Sequence, residues 1–287
     1  MNQNFFSNPG IQQVLKKSNK IIAAYNNKHG SFLIYPLFKN FTIIYACQKQ
    51  TLKNTQYIQK LAKRHNSIYT VIETLEHIER FDNKSFKEFI PRATRQISLS
   101  QTQKEILSNM HSKGRYNANL AEKKGLQVTS DFSANDFYYL LEKTADRDGF
   151  ATNNKVYYQE LFKFGNQIKL RKYGVVHENK LIAAALTIDH KDTTYYLYGC
   201  SDHKYRNLMA PYLIQKTAIF DAQKHGLQTY DFLGISPYSP HPLDKVSEFK
   251  RKFGGYTINY SQNKIVVHKK LLFWLLKIRK TLKSLTK

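Results

Sequence analysis

Residues 194–235 read TYYLYGCSDHKYRNLMAPYLIQKTAIFDAQKHGLQTYDFLGI, and this stretch decides the fold class. Residues 194–198 are aromatic and β-branched, which predicts a strand. Pro211 stands where a first helical residue is expected and Gly226 where a C-terminal cap is expected, so the two bracket a predicted helix. Residues 229–233 predict a second, buried strand. A strand, a helix and a strand in succession are typical of an α/β unit.

Strand and helix signals continue on both sides of this stretch. One helix is predicted over 101–124, and Ser133 with Asp136 predicts a capping box that opens another. Further strands are predicted at 21–26, 32–37, 41–47, 67–75, 173–177, 181–189, 256–260 and 265–268. Because the strands form meander-like runs bracketed by helices, we expect an α/β (α+β) fold with mixed sheets rather than a doubly wound parallel sheet.

Length, cysteine content and hydropathy limit which classes of protein this chain can belong to. A chain of 287 residues is about two domains. Two cysteines exclude a disulfide scaffold and a four-thiolate zinc site. Residues 1–10 lack a basic start followed by an apolar run, and no apolar run approaches the roughly 20 residues of a spanning helix, so we expect a soluble, cytoplasmic protein.

The formal net charge is +24, and residues 263–287 contain no acidic residue. Such a field attracts polyanions such as nucleic acid, anionic lipid or diphosphate substrates. The alternative is codon bias, since Lys, Asn, Ile, Tyr and Phe all have AT-rich codons. The uneven distribution of the charge favours a functional origin.

Common catalytic motifs are absent from the sequence. It contains no GxxxxGK[ST], GxGxxG, HExxH or GxSxG pattern. The ten histidines have no ligand-like spacing to one another or to cysteine, so no metal site is expected. Cys200 follows a predicted strand, but a nucleophile there would need a base that the sequence does not identify.

Three stretches carry recognisable motifs. They are MHSKGRYNANLAEKKG at 110–125, YYLYG at 195–199 leading through Arg206 to YDFLGI at 230–235, and VSEFKRKFGG at 246–255. Together they resemble the Fem family of aminoacyl-tRNA-dependent transferases, which build peptidoglycan interpeptide bridges. Family members show basic-Thr-Arg-Tyr-Asn-Ile-Arg-x-Ala, then Tyr-x-Tyr-Gly-Ala-Ser, Tyr-Asp-Phe-x-Gly and Phe-Lys-x-x-Phe-Gly-Gly in that order. The resemblance covers roughly residues 91–260.

The sequence departs from the family pattern at several positions. Gly114 stands where Thr is usual, Ala118 and Asn119 where Ile and Arg are usual, and Cys200 where Ala is usual. Without a basic side chain at position 119, a phosphate contact from that part of the helix is in question. No coiled-coil insertion lies between residues 140 and 217, so the chain looks like the compact members.

The resemblance implies two lobes, each similar to the acetyltransferase (GNAT) fold. We place an N-terminal lobe at 1–96, a C-terminal lobe at 97–267 and a basic amphipathic helix at 268–287. The implied activity is transfer of an amino acid from aminoacyl-tRNA to the amine of a peptidoglycan precursor stem peptide, carried by lipid II or UDP-MurNAc-pentapeptide. Aminoacyl-tRNA is then the donor substrate, and no cofactor is expected.

Two alternatives of other kinds remain open. The first is an acyl-CoA-dependent GNAT-type N-acyltransferase acting on a cell-envelope substrate. The stretch RNLMAP at 206–211 speaks against it, because it lacks the glycine that lets the backbone approach the CoA pyrophosphate. The second is a non-enzymatic RNA-binding module, which the charge favours and the order of the motifs does not.

The resemblance assigns the chemistry to Lys250, with Phe249 beside it. Attack of an amine on an ester needs a positive group where the oxyanion develops, and Lys250 is the candidate. The alternative is a solvated run of basic side chains at 250–252. Asp231 is a candidate base or substrate contact, although a strand-end Asp more often orients a loop. Substrate-assisted proton transfer is an equal alternative.

Further candidates would bind substrate. Tyr196 and Tyr198 alternate on one predicted strand, so both are expected on one face, where the resemblance places one in the acceptor channel. Sheet core is the alternative. Arg115 and Lys113 would meet phosphate, or else form a solvated helix face. From their approximate position in the chain, Lys16 and Lys155 are two further candidates to bind the diphosphate of the acceptor.

The C-terminal segment carries a helical apolar stripe surrounded by basic residues. The stripe comprises Leu271, Leu272, Trp274, Leu275, Ile278, Leu282 and Leu285, and the basic residues are Lys269, Lys270, Lys277, Arg279, Lys280, Lys283 and Lys287. Such a helix can lie on an anionic membrane surface, where a lipid-linked acceptor resides. The prediction is a peripheral contact at the inner face of the membrane. The alternative is a terminal helix docked on the N-terminal lobe.

Overall fold

The computed structural model describes residues 5–47, 54–74, 76–78, 86–241 and 243–285. The chain divides into two compact units, Met1–Phe89 with Tyr260–Lys287, and Ile90–Asn259. The first unit is therefore built from both ends of the chain. The boundary predicted at 96/97 falls inside a strand, and residues 260–267 lie with the first unit, not with the C-terminal lobe.

The first unit contains a mixed sheet with the order β1-β2-β3-β4-β12. Its elements are a 3₁₀ turn at Phe5–Ser7, α1 (Pro9–Lys17), β1 (Ala23–Asn27), β2 (Gly30–Phe38), β3 (Phe41–Ala46), α2 (Thr55–Arg64), β4 (Ser67–Ile72), β12 (Lys264–Val267) and α9 (Lys270–Leu285). β3 and β4 are parallel, and the other described pairs are antiparallel. Phe32, Ile34 and Ile44 pack against Ile58 and Leu61 of α2.

The second unit contains a mixed sheet with the order β11-β5-β10-β9-β8-β7-β6. Its elements are β5 (Ala93–Ser98), α3 (Gln103–Asn109), α4 (Ser112–Lys123), β6 (Val128–Thr129), α5 (Ala134–Asp148), α6 (Lys155–Lys163), β7 (Leu170–His177), β8 (Lys180–His190), β9 (Thr193–Ser201), a 3₁₀ helix at His203–Leu208, α7 (Ala210–Lys224), β10 (Thr229–Gly234), α8 (Asp244–Arg251) and β11 (Tyr256–Asn259). β9 and β10 form the parallel pair, and the other described pairs are antiparallel.

Helices cover both faces of this sheet. On one face Ile214, Ala218 and Ala222 of α7 join the core, together with Tyr230 and Phe232 of β10. On the other face α5 packs on β8 and β9. Both units contain a sheet with parallel and antiparallel strands, and helices pack on these sheets. This architecture agrees with the predicted α/β (α+β) class.

Local signals placed several helix ends correctly. Ser133 Oγ accepts a hydrogen bond from the backbone N–H of Asp136, and the Asp136 carboxylate accepts one from the N–H of Ser133. The predicted capping box is therefore confirmed. Gly226 adopts a φ of +77°, as a cap beyond α7 requires.

The single helix predicted over 101–124 is wrong. Met110 has extended dihedrals of −70° and 147°, which end α3 before α4 begins. The side chain of His111 then caps α4 by accepting a hydrogen bond from the N–H of Lys113. Two caps in succession therefore break a stretch that composition alone favours as one helix.

Candidate active site

The parallel strands β9 and β10 stop pairing in the middle of the second unit. Their register runs only from Thr229 opposite Thr193 to Asp231 opposite Tyr195. Beyond that point Gly234 pairs with β5, while β9 continues along β8. The backbone groups of the two strands are no longer joined there, and side chains can enter between them.

The side chain of Lys250 lies between β9 and β10 where their pairing has ended. Helix α8 carries its side chain inward, so that the residue is only 8% exposed. Its Nζ donates a hydrogen bond of 2.6 Å to the carbonyl oxygen of Gly234 on β10 and lies 5.7 Å from the ring centroid of Tyr196 on β9. The alternative of a solvated basic run therefore does not describe Lys250.

The environment of Lys250 disfavours its charge. Burial lowers the pKa of Lys250 from 10.5 to about 8, and the nearby Asp231 carboxylate acts in the opposite direction. The ammonium form still predominates at pH 7. A partly desolvated cation beside a carbonyl and an aromatic face is a strong electrostatic group, because few waters screen it.

Asp231 is buried at the end of the paired region of β10. Its Oδ1 accepts hydrogen bonds from the Thr94 hydroxyl and, at 2.6 Å, from the N–H of Leu233, and its Oδ2 accepts one of 2.8 Å from Gln96. Burial raises the pKa of Asp231 above its ordinary value, and these hydrogen bonds and Lys250 offset only part of that effect. Through its bond to the Leu233 N–H the carboxylate holds a turn at the end of β10.

The turn that Asp231 holds is unusual. Leu233 adopts a φ of +54°, a left-handed conformation that non-glycine residues rarely take. A Cβ on Gly234 would lie 2.7 Å from Cγ of Pro91, so only glycine fits without displacement. The turn aims the Gly234 carbonyl at Lys250, and Asp231 therefore positions the lysine indirectly.

Tyr196 and Tyr198 lie on opposite faces of the sheet, so the predicted common face is wrong. The register shifts between Leu186 opposite Tyr198 and Thr187 opposite Tyr196, which leaves Leu197 as the extra residue of a β-bulge. One extra residue reverses the alternation of side chains along a strand. The simple period of two therefore fails at this point.

Each tyrosine has a different environment. The Tyr196 ring meets Phe232 edge-on and packs with the α7 side of the core. Its hydroxyl occupies the space above Gly199, where a Cβ would lie only 1.7 Å away. The Tyr198 hydroxyl instead donates to the Tyr157 hydroxyl at 3.1 Å, on the side of α6. Only Tyr196 contacts Lys250.

The neighbours of Lys250 in the chain make separate contacts. Phe249 packs against Tyr212 and Phe253, with ring centroids 5.2 Å from each. The Nζ of Lys252 donates to the Tyr212 hydroxyl at 3.2 Å. Arg251 is exposed and makes a 3.4 Å contact with the carbonyl of Ser236. Phe249 thus belongs to the packing that seats α8.

Arg115 caps a neighbouring helix. Its Nη1 donates to the carbonyls of Leu107, Ser108 and Met110 at the end of α3, where carbonyls lack intrahelical partners. The guanidinium is thus engaged by backbone, and the phosphate contact suggested for it stays a prediction. Lys113 is exposed on the first turn of α4.

The remaining lysine candidates lie on surfaces of their own. Lys155 is exposed at the start of α6 in the second unit. Lys16 is exposed on α1 of the first unit. Their proposed contact with a diphosphate stays a prediction.

Sequence reasoning missed Thr94, Gln96 and the Gly234 carbonyl. Thr94 and Gln96 alternate along β5, so they reach Asp231 from one face of that strand. Polar residues occur along the whole of this strand, which reads ATRQIS, so the pair two apart was not distinctive. The carbonyl carried no side-chain signal.

No metal or thiol chemistry is evident in the described residues. Within 5–47, 54–74, 76–78, 86–241 and 243–285, no group of three His, Cys, Asp or Glu residues could hold a metal ion. Cys200 is buried, its thiol donates to the carbonyl of Ala184, and burial raises its pKa. It is therefore a packing residue rather than a ready nucleophile.

Solved structures share this fold. The crystal structure of FemX superposes with a TM-score of 0.74 at 16% identity, covering 96% of this chain and 98% of that chain. A tandem GNAT protein from the clavulanic acid biosynthesis pathway superposes with a TM-score of 0.50 at 11% identity, covering 83% and 78%. The fold of this chain is therefore similar to that of FemX and to that of a tandem GNAT protein.

The sequence identifies the family directly. The FemAB family model matches residues 70–172 and 170–281, more than half of the chain, and this protein belongs to the FemAB family. The lipid II:glycine glycyltransferase of Staphylococcus haemolyticus is 23% identical over 74% of this chain and 70% of its own length. For enzymes of the same name in other staphylococci, the matched part is about 60% of their length.

Proposed function

We propose that this protein is an aminoacyltransferase that transfers an amino acid from aminoacyl-tRNA to the amine of a muropeptide carried by lipid II. Membership in the FemAB family and relatives that are lipid II:glycine glycyltransferases support this reaction class. The observation that carries the mechanism is the buried Lys250 ammonium between β9 and β10. The UDP-linked precursor is the alternative acceptor.

The reaction needs an oxyanion site more than a nucleophilic side chain. The acceptor amine attacks the ester carbonyl, a C–N bond forms and negative charge develops on the carbonyl oxygen. Lys250 has three N–H donors, one of which the Gly234 carbonyl holds. The others can donate to the oxyanion, and a charged, fixed donor in a dry site stabilises such a transition state strongly.

The proton follows a route that avoids protein carboxylates. As the tetrahedral intermediate collapses, the C–O ester bond breaks and the terminal ribose oxygen of the tRNA leaves. The proton lost by the amine is taken by that oxygen. Asp231 already accepts hydrogen bonds from Thr94, Gln96 and the Leu233 N–H and holds the turn before Gly234, so we assign the proton transfer to the substrate rather than to a protein base.

Product analysis tests the reaction. Purified protein is incubated with a pool of charged tRNA and with either lipid II or UDP-MurNAc-pentapeptide, and products are read by mass spectrometry. We expect lipid II to gain the mass of one amino acid residue. Gain only with acyl-CoA in place of tRNA would establish the N-acyltransferase alternative. Gain only on the UDP-linked acceptor would refute the lipid-linked assignment.

A membrane contact through α9 is part of the proposal. Phe273 on this helix packs against Tyr69 and Phe86, with centroids 5.2 Å and 4.9 Å apart. Lys280 Nζ donates to the carbonyl of Phe86. One side of α9 is therefore docked on the first unit, as the alternative expectation held. For Lys283 and Leu285 the structure describes the backbone but not the side chain, and Lys287 lies outside the described residues.

The opposite side of α9 remains apolar and exposed. Leu271, Trp274, Leu275 and Ile278 are 70%, 57%, 48% and 36% exposed, at helical spacing along one stripe. No acidic residue occurs after Glu248 in the chain. An apolar stripe flanked by cations favours an anionic bilayer surface. Among the described residues, no helix is long and apolar enough to cross a bilayer.

Tryptophan fluorescence tests this contact without a label, because Trp274 is the only tryptophan. We expect its emission to move to shorter wavelength with phosphatidylglycerol vesicles and not with phosphatidylcholine vesicles. Leu275→Ser should weaken co-sedimentation with anionic vesicles, while Val246→Ser, the same kind of change at an exposed residue of α8, should not. An unchanged emission spectrum would rule the contact out.

A further inference from the structure

A cleft of about 500 Å³ lies in the second unit, beside the edge of the sheet formed by β5 and β11. Ile97, Ile106 and Phe253 form its apolar base, and Arg95 and Arg251 line its sides. No residue that lines it is acidic. It is separate from the gap between β9 and β10 that holds Lys250.

Arg95 and Arg251 both line the cleft, and none of the residues that line it is a carboxylate. Burial lowers the pKa of Arg95, and the positive charge of Arg251 lowers it further. Among the ion pairs of the described residues, neither arginine has a carboxylate partner. A bound anion would offset the positive charge of both guanidinium groups.

The cleft is rigidly built. Arg95 Nε donates to the carbonyl of Gly254 at 2.7 Å, and its Nη1 donates to the Thr257 hydroxyl at 3.1 Å. Gly254 and Gly255 both have positive φ, and a Cβ on either would lie within 2.6 Å of a backbone carbonyl oxygen. The guanidinium of Arg95 is thus fixed in place before any ligand arrives.

The shape and position of the cleft favour a polynucleotide over a free anion. Tyr256 at its border is 46% exposed and offers an aromatic face on which a base can stack. Arg251 follows Lys250 directly in α8. The helix that carries the candidate catalytic ammonium therefore also carries a cleft cation.

We infer that this cleft binds a phosphodiester of the RNA that delivers the amino acid, with Arg251 and Arg95 as the phosphate contacts and Tyr256 as the stacking surface. Guanidinium groups suit phosphate because their N–H donors match its oxygens in pairs. The inference rests on the proposed function, since it identifies where the donor RNA is held.

Arg251→Gln tests the cleft, and Lys245→Gln is the matched control. Lys245 is exposed on the same helix and does not line the cleft, so the control removes the same charge. Binding of fluorescently labelled, uncharged tRNA is measured by anisotropy over a series of salt concentrations. We expect Arg251→Gln to weaken binding about tenfold and to reduce the salt slope by about 0.7–0.9, as loss of one phosphate contact would. Lys245→Gln should change it less than twofold.

Two competition experiments test whether the cleft prefers the phosphate of tRNA to other phosphate compounds. Inorganic phosphate and UDP are titrated as competitors, and both should displace tRNA only at far higher concentration than unlabelled tRNA does. Equal effects of the two Gln variants, or loss of UDP binding without loss of tRNA binding, would overturn the inference. Because this assay uses uncharged tRNA, it reports on the cleft even if no transfer reaction is found. If the wild-type enzyme catalyses transfer and Arg251→Gln binds tRNA normally, the cleft inference is wrong while the proposed function stands.

Discussion

Replacing Lys250 by methionine should separate catalysis from stability. Methionine keeps much of the side-chain volume and removes the ammonium that donates to Gly234. Loss of one donor to a developing oxyanion costs on the order of 10²–10³-fold in rate. We therefore expect the single-turnover transfer rate from charged tRNA to fall by at least about 10²-fold.

The same substitution should leave the fold intact or strengthen it. A pKa of about 8 in place of 10.5 means that burial of the charged lysine costs roughly 3 kcal/mol at pH 7. Methionine removes that cost and leaves the Gly234 carbonyl without its donor, a loss of about 1–3 kcal/mol. The two terms nearly cancel, so the free energy of unfolding should change by less than about 2 kcal/mol.

The pH dependence gives a second check. The unfolded chain binds more protons than the folded one between about pH 8 and pH 10.5, because the pKa of Lys250 is lowered by folding. The contribution of Lys250 to the free energy of unfolding therefore rises with pH across that window. Transfer should fall with pH above about 8 as the ammonium is lost. The difference between wild type and Lys250→Met isolates both effects.

Lys252→Met is the control, since the Nζ of that side chain contacts the hydroxyl and the ring of Tyr212 and not the Gly234 carbonyl. Denaturant unfolding and single-turnover transfer are measured on both variants. Mild and equal effects on transfer would refute the oxyanion role of Lys250. A Lys250→Met protein that unfolds more readily by several kcal/mol would refute the account of its burial.

Three other substitutions follow from the packing of the second unit. Gly199→Ala should lower both the transfer rate and the melting temperature, because the added Cβ would occupy the position of the Tyr196 hydroxyl. A variant with wild-type transfer rate and wild-type melting temperature would contradict this. Gly114→Thr places a Cβ 2.5 Å from the Lys252 carbonyl oxygen and should destabilise by about 1–3 kcal/mol in a urea titration, whereas an unchanged midpoint would show that α4 can move. Tyr198→Phe should lower stability by about 1 kcal/mol through loss of its hydrogen bonds and slow transfer less than twofold, and a large rate loss would return Tyr198 to the site.

Local chemistry explains the parts of the fold that the sequence predicted well. The Ser133 box and the cap at Gly226 each depend on a few adjacent residues, so their signals are complete within the motif. The break at Met110 is different. The extended Met110 and the His111 cap are joined there by Arg115, which reaches back to carbonyls at the end of α3, and a helical pattern does not register such contacts.

The candidate site shows the same division. Lys250 and Asp231 are both predicted site residues, and the structure brings the Lys250 side chain from α8 to the carbonyl of Gly234, on the same strand as Asp231. The separation of Tyr196 from Tyr198 could not be predicted, because the bulge at Leu197 exists only against β8. Burial of Lys250 was equally hidden, since a Lys-Arg-Lys run is ordinarily solvated and the Gly234 carbonyl is 16 residues away.

The return of β12 to the first sheet has a consequence during biosynthesis. β4 is complete once residue 72 has been made, but its antiparallel partner begins at Lys264. At roughly 5–20 residues per second, the ribosome needs on the order of 10–40 s to reach that partner. For that interval the hexapeptide SIYTVI has an open edge with strong β-propensity and no charge, the kind of edge that pairs with other chains. Completion of the first unit is therefore governed by synthesis of the second.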